Sequence, residues 1–472
     1  MASRFQTKRS WTVLTIGIRV RFILRVRKSL IQSYKTKCLR IYDYSLFTGF
    51  AQTLAKWFGH VEYYSPWKSE FPKNMDRYIG KGLPGVTRID DFFSGMDDVD
   101  LFAFFDVLDG DLQVDLATRG DETLRLLKSL GLQIPSDIEA KAKALLNKRV
   151  FGGRFGENLE LYRDWGKKKA KKLGIEVGPY DVVQGMEKLR EYLKENPGTW
   201  VKIDICRGDM ETWFSETLQL SNDRLVQLEA DLGSAIAQDV EFILEKPIPC
   251  GEGEEGGSDS LSIDGQYPDD MFFGSEIKGK SFAGCVVKYK KMPEDLRTIN
   301  DKLAPFLKAK KYRMFFSTEE RKGKLTDPCM RLPSPPNELY QKMIGNLPDV
   351  MWFGAEGKLI QPEYIAKRGG LVRIRSDWIN EKKTQAISWP KEYDENIVLR
   401  KHCRIGGHYF VLPKGPPAKT VGSIVAWGDD FDEIWNRIRE VAKHVKGHDL
   451  EIMIDETEKA EEGLKKLLKE HH

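Results

Sequence analysis

The sequence predicts a multidomain α/β protein, and three observations carry that prediction. A strand, a helix and a second strand follow one another directly after residue 37. Between Pro179 and Pro249, two amphipathic helical patterns (185–195 and 222–238) alternate with short strands (200–205, 211–214 and 240–245). From Ser260 onward the patterns are mostly strands, closing in one amphipathic helix and a last charged helix.

Composition sets outer bounds. A length of 472 residues suggests roughly three domains. At 41% hydrophobic and 11% aromatic residues there is material for full cores. The 75 basic and 71 acidic residues leave a formal net charge of +4, so the whole protein makes no case for binding nucleic acid. Six scattered cysteines without a CxxC pair point to a reducing cytoplasm and away from a disulfide framework. His402 and His408 lack a zinc-motif context. No apolar run approaches the length of a membrane helix.

Residues 1–37 stand apart as a basic extension, with ten Lys/Arg and no acid. Three readings stay open: a mitochondrial transit peptide, a basic arm for nucleic acid or anionic lipid, or an idle extension from an early start codon. The first domain spans 38–148. CLRIYDY is a strand, SLFTGFAQTLAKWFG a helix ending at Gly59, and HVEYYSP and LFAFFDV are further strands. That order predicts a parallel sheet with right-handed crossovers. Asp43, Asp106 and Asp109-Gly110-Asp111 fall at its carboxyl edge, where such sheets bind ligands, and the lack of GxGxxG argues against a dinucleotide.

Residues 149–249 carry a linker helix and a small lid. The helix is crowded with lysines, including Lys167, that form mostly a solvated face. Arg163 is expected to turn inward beside Leu161, Tyr162 and Trp165. Lys202 sits in a strand between apolar Val201 and Ile203, so it points to the face opposite its neighbours. Arg207-Gly208-Asp209 is a glycine turn suited to covering a ligand, and the last strand ends in Leu244-Glu245 before a Pro-rich exit. Together these read as a nucleotide clamp in which lysine meets phosphate and the glutamate meets base or sugar. The plainer alternative is a solvated lysine and an ordinary hairpin.

Residues 250–369 begin with an acidic glycine-rich loop, a lid or a linker. Glu276 and Lys278, two apart in a strand, either reach a ligand or pair with each other. In YRMFFSTEERKGKLTDPCMRLPSPP, two strands flank the turn Arg321–Lys324, and Glu319 and Asp327 converge across it. Two such carboxylates are the minimal protein share of a magnesium site, and Arg313 and Arg331 would hold a transferred phosphoryl group. The alternative is an exposed charged hairpin. Residues 370–472 read as a small separate β-rich domain with terminal helices.

The order and spacing of these pieces resemble the ATP-grasp superfamily, and within it phosphoribosylamine–glycine ligase. The resemblance implies an ATP-grasp fold with an N-terminal pre-ATP-grasp Rossmann-like domain and a small C-terminal β-rich domain. It implies ATP and Mg²⁺ as cofactors. The reaction implied joins a small-molecule carboxylate to an amine through an acyl phosphate and releases ADP. It assigns the strand lysine at the phosphates to Lys202 and a preceding helical base to Arg163, or second to Lys167. The nucleoside-binding strand falls on Leu244-Glu245, and Arg207 lies in the covering hairpin. The family's lysine after a strand looks like Lys278 in Glu276-Ile277-Lys278, and its metal carboxylates map to Glu319 and Asp327. Arg331 and Arg313 would be catalytic, steadying the acyl phosphate. The sequence departs from the family pattern at Cys329, where a metal-bridging Asn stands, and at Asp327, where Glu is usual. CRGDMET replaces the long glycine-rich loop, and no GGMG occurs. These departures imply an acceptor of its own.

Overall fold

The structure, a computed structural model, describes residues 34–66, 75–106, 129, 148–204, 212–249, 256–380, 383–413 and 419–469. Its first layer is a five-stranded parallel sheet in the order Val86–Arg88, His60–Tyr64, Cys38–Tyr42, Leu101–Phe104, Arg149–Phe151. All four residues of Leu101–Phe104 are buried, as expected for a strand covered on both faces. Leu39 and Ile41 pack toward the helix Thr48–Leu54, while Tyr42, Phe92, Phe102 and Phe104 form an aromatic cluster on the other face. The fifth strand, Arg149–Phe151, extends this sheet past residue 148.

The lid is a four-stranded antiparallel sheet, ordered Tyr180–Gln184, Glu241–Glu245, Thr199–Ile203, Thr212–Ser215. Its two main helices, Met186–Glu195 and Leu218–Leu232, bury Leu189, Leu193 and Leu225 against Val201, Trp213, Phe242 and Leu244. The second helix starts earlier than its apolar spacing suggests because the Thr217 hydroxyl accepts from the Leu220 N–H at 3.2 Å. It stops at Gly233, whose φ of 76° breaks the helical path. Tyr180–Gln184 shows no buried alternation that would mark it as a strand, because its side chains are largely exposed.

Nine described strands form the large sheet, running from the hairpin Lys324–Cys329 and Arg313–Arg321 through Gly256–Ile263, Asp270–Ile277 and Ser281–Lys288. It continues without a break into Arg368–Ser376, Thr420–Gly428 and Ile397–Leu399. These C-terminal strands are therefore not a separate unit, whereas His402–Ile405, His408–Val411, Gln385–Ser388 and Lys446–Gly447 form a four-stranded sheet of their own. Ser281–Lys288 pairs with Arg368–Ser376, a partnership between strands about eighty residues apart that local patterning does not reveal. Helix Phe431–His444 covers this end, burying Ile434, Trp435, Ile438 and Val441.

Candidate active site

The site forms where the lid sheet faces the hairpin edge of the large sheet. Hairpin geometry sets its register. Lys322 and Gly323 both have positive φ (51° and 74°), the two-residue turn whose twist matches antiparallel strands. Glu319 then pairs with Asp327 and Glu320 with Leu325, which leaves Thr326 as a bulge. The bulge presents the Thr326 carbonyl to the lid, 3.5 Å from Lys202 Nζ.

Strand alternation sends Lys202 and Glu245 to the cleft face and Leu244 to the lid core. Leu244 is thus a packing residue, buried in a strand that is paired on both sides. Glu245 is held by two lysines: Lys167 Nζ lies 2.6 Å from Oε1 and Lys202 Nζ 3.2 Å from Oε2. Burial pushes the Glu245 carboxyl up, but Lys202 and Lys167 outweigh it and hold it below the usual range. Burial likewise lowers Lys202, yet Glu245 and Asp327 raise it above the ordinary lysine value, so it stays charged. Lys167, with less compensation, lies below that value. Arg163 does turn inward. It donates to the Ile203 carbonyl at 2.6 Å and the Thr212 hydroxyl at 3.1 Å, fastening two lid strands to the linker helix. Asp204 completes that joint by accepting from the Asp164 N–H at 2.7 Å, at the helix start.

Opposite the lysines, Asp327 is pushed up by burial but held below the carboxylate range by Lys202, Arg163, Lys278 and Lys167. Lys278, exposed, lies 3.0 Å from Glu319 and 3.6 Å from Glu276, so the pairing alternative holds alongside the clustering. Glu319 and Asp327 offer hard oxygen donors in register across one hairpin, which fits a magnesium ion. Cys329 adds no oxygen, and burial drives its thiol well up.

Two expected residues take other roles. Arg313 is six positions from Glu319 along an extended strand, about 20 Å away. Both its outer nitrogens are occupied by Asp264 at 2.9 Å and the Ala355 carbonyl at 2.7 Å, so it does not join the site. Arg331 borders the cleft, but Asp106 at 3.1 Å and Glu160 at 3.0 Å already hold it. Glu160 also accepts from the Met330 N–H at 2.6 Å, and burial pushes its carboxyl up to about 7 despite Arg331. Arg331 thereby ties the first sheet's carboxyl edge to the hairpin exit. Arg207 and Asp109-Gly110-Asp111 lie outside the described residues.

Sequence reasoning missed Asp259. It lines a small pocket with Glu276, Lys278, Glu319, Cys329 and the Pro333–Pro336 loop, which has a cis peptide before Pro335. The signal was there: Asp259 shares a strand face with apolar Leu261 and Ile263. Burial, helped by Glu276, raises its carboxyl to about 7 although Ser317 donates to it. A raised folded-state value means the native protein holds this proton while the unfolded chain releases it. Stability therefore falls as pH rises from about 4 to about 7. Asp259→Asn is expected to stabilise the fold by roughly 4 kcal/mol above pH 7 and by little below pH 4, read from urea midpoints across that range.

A cavity of about 360 Å³ lies elsewhere, between helix Thr48–Leu54 and the C-terminal strands. Its lysines, Lys56 and Lys342, share Glu395, and its His402 is neutral, with a value lowered by burial to about 3. Its ionic groups compensate one another.

No protein-family model matches the sequence, and no curated protein does. Solved structures match in shape. Phosphoribosylamine–glycine ligase from Thermotoga maritima superposes with a TM-score of 0.61 at 14% identity, over 88% of this chain and 98% of that one. The biotin carboxylase domain of Hydrogenobacter thermophilus 2-oxoglutarate carboxylase, solved with MgADP and bicarbonate, gives 0.55 at 10% identity, over 89% and 92%. Biotin carboxylase from Campylobacter jejuni, in complex with β,γ-ATP, gives 0.53 at 13% identity, over 89% and 93%. With its parallel first sheet, antiparallel lid and carboxylate-bearing hairpin, this chain has the ATP-grasp fold.

Proposed function

We propose that this protein is an ATP- and magnesium-dependent ligase that joins a small carboxylate to an amine or similar nucleophile through an acyl phosphate, releasing ADP and phosphate. The supporting observation is the cleft in which Lys202 meets the Thr326–Asp327 bulge of the opposing hairpin. Lys202 and Lys167 bind the phosphates, exchanging part of their contact with Glu245 for phosphate oxygens. Glu245 faces the nucleoside, and Arg163 positions the lid strands that carry the lysine. Glu319 and Asp327 would hold magnesium, which when bound screens charge on the phosphates. Arg331, held by Asp106 and Glu160, fixes the hairpin exit beside the site, and no covalent protein nucleophile is required.

A second reading, a nucleotide-binding protein without turnover, is favoured by one observation. Cys329, a poor magnesium ligand, stands where the family it resembles has a bridging Asn. Incubation with ATP, Mg²⁺ and pooled carboxylates and amines separates the two. The ligase reading expects pool-dependent ADP and phosphate. AMP would contradict the acyl-phosphate route. Equal ADP formation by the native chain and by Cys329→Asn would leave the turnover-free reading without its support.

A further inference from the structure

Among the described residues, one trio of metal-ligating side chains brings its donor atoms within 4.8 Å of one another: Cys38, His60 and Glu62. They lie at the amino-terminal edge of the parallel sheet, the edge opposite Asp43 and Asp106. Their convergence follows from register. Cys38 pairs with His60 across two parallel strands, and Glu62 is two positions further along, so all three share one face. His60 Nε2 lies 3.4 Å from Glu62 Oε1.

The carboxylate is oriented from behind. Arg40 Nε donates to Glu62 Oε2, leaving Oε1 turned toward the imidazole. Arg40 is itself buried and pinned by the Phe92 and Ser94 carbonyls. Such an outer-shell group fixes a ligand's direction without occupying the coordinating oxygen. The Cys38 main chain is fixed by Asp100, whose Oδ2 accepts from its N–H at 2.9 Å. Burial and the Glu62 carboxylate push the Cys38 thiol up, against Arg40, so a bound metal has to displace its proton. The His60 ring is about half exposed, which leaves a solvent-facing fourth position.

We propose that Cys38, His60 and Glu62 form a second metal site, independent of the nucleotide cleft, that binds a borderline divalent ion such as Zn²⁺. One thiolate, one imidazole and one carboxylate with a water in the fourth position suit tetrahedral zinc and not magnesium. Binding displaces the Cys38 thiol proton to solvent as the sulfur–metal bond forms. The site clips together the first two strands of the sheet.

Cobalt(II) is the probe, added to the reduced full-length chain. The expected result is a thiolate-to-cobalt charge-transfer band with intense tetrahedral d–d bands, saturating at one ion per chain and abolished by zinc. Cys38→Ser should lose the charge-transfer band, and Arg40→Lys should bind cobalt about tenfold more weakly. The exposed His60→Gln substitution leaves the strand core untouched and should lose the tetrahedral d–d intensity. Absence of the charge-transfer band in the native chain overturns the proposal, as does an unchanged band in Cys38→Ser or unchanged spectra in His60→Gln.

Discussion

Lys202→Met is expected to lower ATP turnover by about 10²–10³-fold, the loss that follows when one preorganised charge donor leaves a partly desolvated site. Methionine keeps the buried stem and removes only the ammonium. The variant should remain folded, because Glu245 keeps Lys167 at 2.6 Å and the lid core uses Val201 and Leu244 on the other face. Turnover and thermal midpoint measured on one preparation separate the two effects. An unchanged rate, or a loss that tracks unfolding, would remove Lys202 from the phosphate site.

The second large effect is on stability. Glu338 is buried at the start of the helix Asn337–Met343, and both its oxygens lie 2.8 Å from Arg373 Nη1. Arg400 adds a contact at 3.0 Å through Nε. Burial pushes this carboxyl up, but Arg373 and Arg400 overcome it and hold it at about 2. Glu338→Gln leaves Arg373 buried with only Ser423 and weakened amide contacts. A cost of about 3–5 kcal/mol is expected. The folded-state value is depressed, so the contribution of Glu338 is present above the unfolded value near 4.5 and is lost as pH falls toward 2. Urea midpoints of native and variant chains should therefore differ most above pH 5 and converge in acid. A constant gap would mean that the carboxylate charge is not the cause.

Much of the cleft was legible because its residues obey local rules. A strand of period two put Lys202 opposite Val201, and a two-residue turn put Glu319 across from Asp327. An apolar stripe turned Arg163 inward. The same alternation applied to Leu244 would have sent it to the lid core. What stayed hidden depends on contacts between distant segments. Arg331 meets Asp106 across 225 positions, and Met330 meets Glu160 across 170. Arg313 looked like a site residue because it stands in the hairpin, yet the length of its strand carries it to the far end, where Asp264 holds it. The C-terminal strands looked independent because their pairing partner, Ser281–Lys288, lies on the far side of a helix and the hairpin.

The most direct test of the nucleotide cleft is isothermal titration of the native chain with ATP, with and without Mg²⁺, beside Asp327→Asn. One ATP per chain should bind saturably and more tightly with Mg²⁺, and the variant should lose that tightening while metal-free binding persists. Absence of ATP binding, or equal Mg²⁺ dependence in both chains, would contradict this reading of the cleft.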